Sequence, residues 1–133
     1  MNTKNKKLLN LVREIFINHK LNSEHAKISA SALINAELVG AYGHGLSRLK
    51  MYCDRIKKKV INPKPKIKIT NISQSISQID ADNGIGFVAA DIAIKKAISN
   101  AKKTGIGLVA VRNSGHYGLS GYYAEQAVKK NLV

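Results

Sequence analysis

"GIGLVAVRNSGHYGLSGYY", Gly105–Tyr123, is the stretch on which the fold of this 133-residue chain turns. A glycine that stops a helix comes first, then the continuous apolar run Ile106–Val111, then a polar turn, Asn113–Gly115, and a histidine, His116. An unbroken apolar run of this length marks a strand covered on both faces of a sheet. Upstream, Ile85 to Lys103 reads as an amphipathic helix. Phe87, Ala90, Ile94, Ala97 and Ala101 lie on one side, with Asp91, Lys95, Ser99 and Lys102 opposite. "SISQID" (75–80) is a short strand before it, and a further helix runs from about Ser120 to Lys130. The order strand–helix–strand–helix is an α/β unit.

The first third is helical. Leu8, Leu9, Val12, Ile15 and Phe16 recur at three- and four-residue spacing. A second helix starts near Ser23, with Asn22 or Ser23 as cap and Glu24 in its first turn. Gly40 and Gly43 end it, and a third helix runs from Ser47, a good N-cap, to about Lys59. In "VINPKPKIKI" (60–69), Pro63 and Pro65 forbid helix, while Ile67 and Ile69 alternate with lysines as on a half-exposed strand. The chain thus divides into a helical segment, 1–60, and an α/β segment, 61–133.

Lys and Arg number 22 against 8 Asp and Glu, a net charge of +14. Such a balance attracts polyanions. The lysines are spread along the whole chain, however, and Lys, Asn and Ile are all plentiful, as AT-rich coding would produce. No binding motif accompanies them, so no specific nucleic-acid partner is expected. Cys53 is alone, which removes disulfides and cysteine metal sets, and a buried thiol is its plainest reading. No apolar run reaches membrane-spanning length, and "MNTKNKKLLNLV" (1–12) lacks a signal-peptide core. A cytoplasmic protein is the expectation.

Three stretches could carry chemistry. "GIGFVA" (84–89) fits the dinucleotide fingerprint G-x-G-x-x-A, after a strand and at a helix start. The acidic residue that should follow the next strand is missing, and "DADN" (80–83) puts carboxylates where phosphate would approach. A glycine-rich turn into a helix is the better reading. In "GHGLSR" (43–48), His44 sits between glycines and Arg48 is four residues on. A guanidinium fork suits a carboxylate, and imidazole exchanges protons near neutral pH. A surface arginine and a capping histidine are the alternative. His116 stands at the carboxyl end of a strand, where open α/β sheets place ligands. It could take a proton from a substrate hydroxyl, or simply be satisfied by its own loop. No second His or carboxylate stands at metal-ligand spacing from it, and His19 and His25 read as ordinary surface positions.

Together "AYGHGLSRLKMY" (41–52), "INPKPKI" (61–67), "DADNGIG" (80–86) and "KKTGIGLVAVRNSGHYGLSGYYAEQAV" (102–128) resemble the type-2 malate/L-lactate dehydrogenase family. Its relatives include ureidoglycolate dehydrogenase, sulfolactate dehydrogenase and diketogulonate reductase. The resemblance implies the L-sulfolactate dehydrogenase-like mixed α/β fold, not the Rossmann fold of the usual nicotinamide dehydrogenases. It also implies NAD or NADP as cofactor, a homodimer, and a small 2-hydroxy or 2-oxo acid as substrate. By the same resemblance His116 is the proton acceptor, His44 its rival as acid/base, and Arg48 the substrate-site arginine; cofactor contacts stay unassigned.

Family members are more than twice this long, so the chain is expected to be a truncated, N-terminal portion. An inactive remnant that pairs with a full-length homologue is the second reading, and a basic nucleic-acid-binding module the third. The isolated chain is expected to show no appreciable dehydrogenase activity. NAD(P)-dependent oxidation of malate or lactate by the purified protein would overturn that expectation.

Overall fold

The computed structural model describes residues 3–133. Its elements are helices α1 (Thr3–Asn18), α2 (Ser23–Leu38) and α3 (Leu49–Lys57), then strands β1 (Lys68–Asn71) and β2 (Ile76–Gly84). Helix α4 (Gly86–Thr104), strand β3 (Leu108–Ser114) and helix α5 (Ser120–Val128) complete the order. Two short 3₁₀ turns, Tyr42–His44 and Leu46–Arg48, join α2 to α3. Residues 1 and 2 of the expected helical segment lie outside the described residues.

The helical segment and α4 share one apolar core. Val12 and Phe16 of α1 meet Ala26, Ala30 and Leu33 of α2, and the cluster continues through Tyr52 and Ile56 of α3 to Phe87 and Val88 of α4. Asn22 caps α2, its side chain accepting the His25 amide at 2.8 Å. That bond satisfies one of the donors a helix start leaves free.

The sheet has the order β1-β2-β3. β1 and β2 form an antiparallel hairpin, whereas β2 and β3 run parallel with α4 as the crossover. Parallel neighbours require such a connection, and a helix across one face is the usual one. The register pairs Ile79 with Val111 and Asp80 with Arg112, then shifts before Gly84 meets Ser114. Side chains reinforce it: Asp80 accepts from Asn113 Nδ2 at 3.0 Å and pairs with Arg112 at 3.0 Å. At the other end of α4, buried Asn100 donates to the Ser75 carbonyl at 3.3 Å and to Ser77 Oγ at 3.1 Å. Gly105, at φ 82°, closes the helix in the left-handed conformation.

Four expectations need correction. β3 is the outer strand of the sheet and not covered on both faces: Ile106 just before it is 68% exposed and Leu108 56%. Asp91 is not on an exposed polar face of α4. It is buried, and its charge is met by Lys95 at 2.6 Å. Ser47 does not cap α3, because its hydroxyl donates to the Tyr42 carbonyl at 2.6 Å and the chain takes a 3₁₀ turn before Leu49. His19 and His25 are half-buried and not surface positions, each with one buried ring nitrogen.

Leu33 of α2 is fully buried in this core, whereas Leu11 faces outward at 58% exposure. Leu33→Ala is therefore expected to lower unfolding free energy by about 2–5 kcal/mol, and Leu11→Ala by roughly 0.5 kcal/mol or less. Urea denaturation of the two variants checks the contrast.

Candidate active site

The loop that carries His116 leaves the carboxyl end of β3 and is pressed onto the start of α4. Asn113 takes a left-handed φ of 51°, tolerable for asparagine, and its amide is tied to Asp80. The carbonyl oxygens of Gly115 and His116 lie where a side chain at Gly86 would have to be. Gly118, at φ +83°, faces the Phe87 ring so closely that an added Cβ would sit 2.7 Å from it. On the far side, the buried Tyr123 hydroxyl donates to the Tyr117 carbonyl at 2.8 Å. The second glycine of "GIGFVA" therefore has a packing purpose. It admits the histidine loop, and two carbonyl oxygens occupy the space a pyrophosphate would use.

His44 comes to the same place from the other half of the chain. It ends the first 3₁₀ turn, and its ring lies parallel to that of His116, at 6° between planes and 5.7 Å between centroids. The turn is held from behind by Glu37, whose Oε1 accepts the Leu46 amide at 2.6 Å. Arg48 is exposed, and its Nε donates to the Gly43 carbonyl at 2.8 Å. This bond orients the guanidinium from its stem. Among the described residues no carboxylate pairs with it, so the terminal fork stays available for an anion.

Against His116 lies Tyr52 of α3, fully buried, with its ring 4.7 Å from that of Phe87. Its hydroxyl is 2.6 Å from His116 Nδ1. Tyr52 is the residue that the sequence reading passed over. The signal was present as spacing: positions 44, 48 and 52 recur every four residues, which brings side chains to one side of a helical path. Glu37 was also missed, and nothing in its local pattern marks it.

The field at the site is positive. Burial lowers the His116 pKa first, and His44, Arg48 and Arg55 lower it further. The ring is therefore neutral near pH 7. Burial pushes the Tyr52 hydroxyl up to about 12, so it keeps its proton. The neighbouring Cys53 is buried and also pushed up, which leaves it a thiol and a poor nucleophile.

Next to the histidine loop opens a cavity of about 310 Å³ lined by Gly86, Ala90, Val111, Ser114, Gly115 and Tyr117. Its walls are mostly apolar. Among the described residues no three His, Cys, Asp or Glu side chains gather as a metal would need.

The structure thus brings His44, Arg48 and His116 together, although His44 and His116 come from opposite halves of the sequence. Comparison with known proteins finds relatives of the whole chain. The chain is 49% identical over 110 residues to the malate dehydrogenase of Pyrococcus abyssi, covering 83% of this chain and 30% of that protein. It is 42% identical over 110 residues to the L-sulfolactate dehydrogenase of Methanocaldococcus jannaschii, covering 83% and 32%. Among solved structures, the malate dehydrogenase of Pyrococcus horikoshii superposes with a TM-score of 0.91 at 40% identity, over 95% of this chain and 36% of that one. The sulfolactate dehydrogenase of Methanocaldococcus jannaschii gives 0.92 at 37% identity, over 96% and 37%. The chain spans about a third of the length of these relatives, and its mixed α/β fold is that of their N-terminal portion. With the malate/L-lactate dehydrogenase family model matching residues 3–133, the chain belongs to that family.

Proposed function

We propose that this chain supplies the substrate-handling half of an NAD(P)-dependent dehydrogenase that interconverts a 2-hydroxy acid and a 2-oxo acid. The observation that carries the reading is the convergence of two parallel imidazoles with an oriented, unpaired arginine at the end of a parallel strand. Arg48 would grip the substrate carboxylate through its fork, which fixes the neighbouring carbon relative to His116. His116 would manage the proton at the substrate oxygen, and the neutral form imposed by its setting suits that exchange. His44, parallel to it, would serve as a second proton-carrying group.

The cavity bounded by Gly86, Ser114, Gly115 and Tyr117 would receive the nicotinamide end of the cofactor. When bound, that group would accept or deliver the hydride. Malate, L-lactate, sulfolactate and ureidoglycolate are the candidate substrates, in keeping with the names of the relatives. A homodimer belongs to the same reading, and the exposed apolar side chains along β3 offer such contacts a surface. So does a cytoplasmic setting, which a single free cysteine accommodates.

The test is binding of a small 2-oxo acid such as oxaloacetate or pyruvate, read from the ring resonances of His44 and His116. Both are expected to move, with affinity falling roughly tenfold or more in Arg48→Ala as a charge-assisted pair is lost. Arg48→Lys should recover only part of it, since an ammonium lacks the planar fork. Resonances that ignore both acids would count against the reading.

The same variant has a pH signature. Arg48 opposes protonation of His116, so Arg48→Ala should move the His116 titration upward, toward the ordinary value of 6.5. A pH titration by NMR measures it.

A further inference from the structure

We propose that Tyr52 and the backbone amide of Gly118 hold His116 in the tautomer with its proton on Nε2, so that the free ring nitrogen meets a ligand as a hydrogen-bond donor. Two donors converge on one atom. Tyr52 Oη lies 2.6 Å from His116 Nδ1, and the Gly118 nitrogen lies 3.3 Å from the same Nδ1. An amide N–H can only donate, so it requires a lone pair on Nδ1. The Tyr52 hydroxyl makes the same demand. It is fully buried against Phe87, and among the described residues Nδ1 is its one hydrogen-bond partner.

The opposite tautomer fails on both counts. With the proton on Nδ1, the Gly118 amide would face another N–H. The tyrosine oxygen would have to accept, turning its own O–H into the core without an acceptor, and a buried donor without a partner is costly. Burial keeps Tyr52 protonated, so it does not escape by becoming a phenolate. Nor can it swing away, because its ring is fixed on α3 against Phe87. The remaining groups facing the imidazole are His44, Arg48 and Arg55, and all three disfavour the imidazolium. The ring is thus neutral with Nε2–H.

Tyr52 is on this account a positioning residue that acts through His116. The tautomer itself depends on no ligand; its consequence rests on the dehydrogenase reading above. An Nε2–H donor suits the carbonyl oxygen of a 2-oxo acid, an obligate acceptor. A 2-hydroxy acid can meet it only through an oxygen lone pair, so the proton exchange proposed above requires the Nε2 proton to leave first, with the parallel His44 ring as the group to receive it. The resting site is therefore set for the oxidised member of the substrate pair.

The test is the long-range ¹H–¹⁵N spectrum of the histidine-labelled full chain at a pH where the ring is neutral, with His116→Gln to assign the signals. The expected wild-type pattern is an unprotonated, pyridine-type Nδ1 and a protonated, pyrrole-type Nε2. Tyr52→Phe keeps the ring against Phe87 and drops one donor. The ratio of Nε2–H to Nδ1–H should then fall by roughly fivefold or more, the worth of one ordinary hydrogen bond. The His116 titration should also move upward, because the lost donor favoured the unprotonated Nδ1. A wild-type ring protonated on Nδ1, or a Tyr52→Phe spectrum identical to wild type, overturns the proposal. If Tyr52→Phe does not fold, the wild-type spectrum decides alone. No ligand enters this measurement, so its outcome is separate from 2-oxo acid binding, whose failure would sink the dehydrogenase reading and leave the tautomer standing.

Discussion

The contact between the histidine loop and the first turn of α4 is the constraint on which the site depends. Two backbone carbonyls rest on Gly86, and one aromatic edge rests on Gly118. Neither position has room for a side chain, so the loop and helix cannot be pushed apart without displacing His116. The same helix turn carries Phe87, which packs on Tyr52, and Tyr52 in turn reaches Nδ1. A short circuit of packing thus joins β3, α4 and α3. The imidazole is placed by three elements, although only one of them carries it.

That arrangement also explains why the ring is exposed yet fixed. His116 is open to solvent, but its Nδ1 edge is anchored to a hydroxyl from the buried core. A ring placed this way is held at its Nδ1 edge while the side chain stays open to solvent. The positive surroundings from Arg48 and Arg55 add to this by disfavouring protonation of the ring.

Much of this was legible in the sequence because the signals were local. Periodicity placed α1, α2 and α4, Gly105 marked the end of α4, and a glycine-flanked histidine after an apolar strand marked the site. Nonlocal facts were not legible. The apolar run of β3 reads as doubly covered whether or not another strand lies beside it, so its exposure could not be inferred. Asp91 looked solvent-facing because its helix spacing is polar, and only the fold shows its carboxylate buried with exposed Lys95 as partner. Tyr52 was passed over because its hydroxyl matters only when a loop 64 residues away returns to it.

The amide of Asn100 has a reach beyond its own contacts. Bonded to Ser75 and Ser77, it is a gauge mark that fixes how far α4 may slide along β2. A slip of β2 by one residue would turn Ser77 outward and put Ile76 or Gln78 in its place, so the buried amide would lose the Ser77 hydroxyl. The mark stands at one end of a helix whose other end receives the histidine loop. Alignment set at the far end is thereby transmitted as distance along a rigid rod, and a polar contact remote from the imidazoles measures out where they meet.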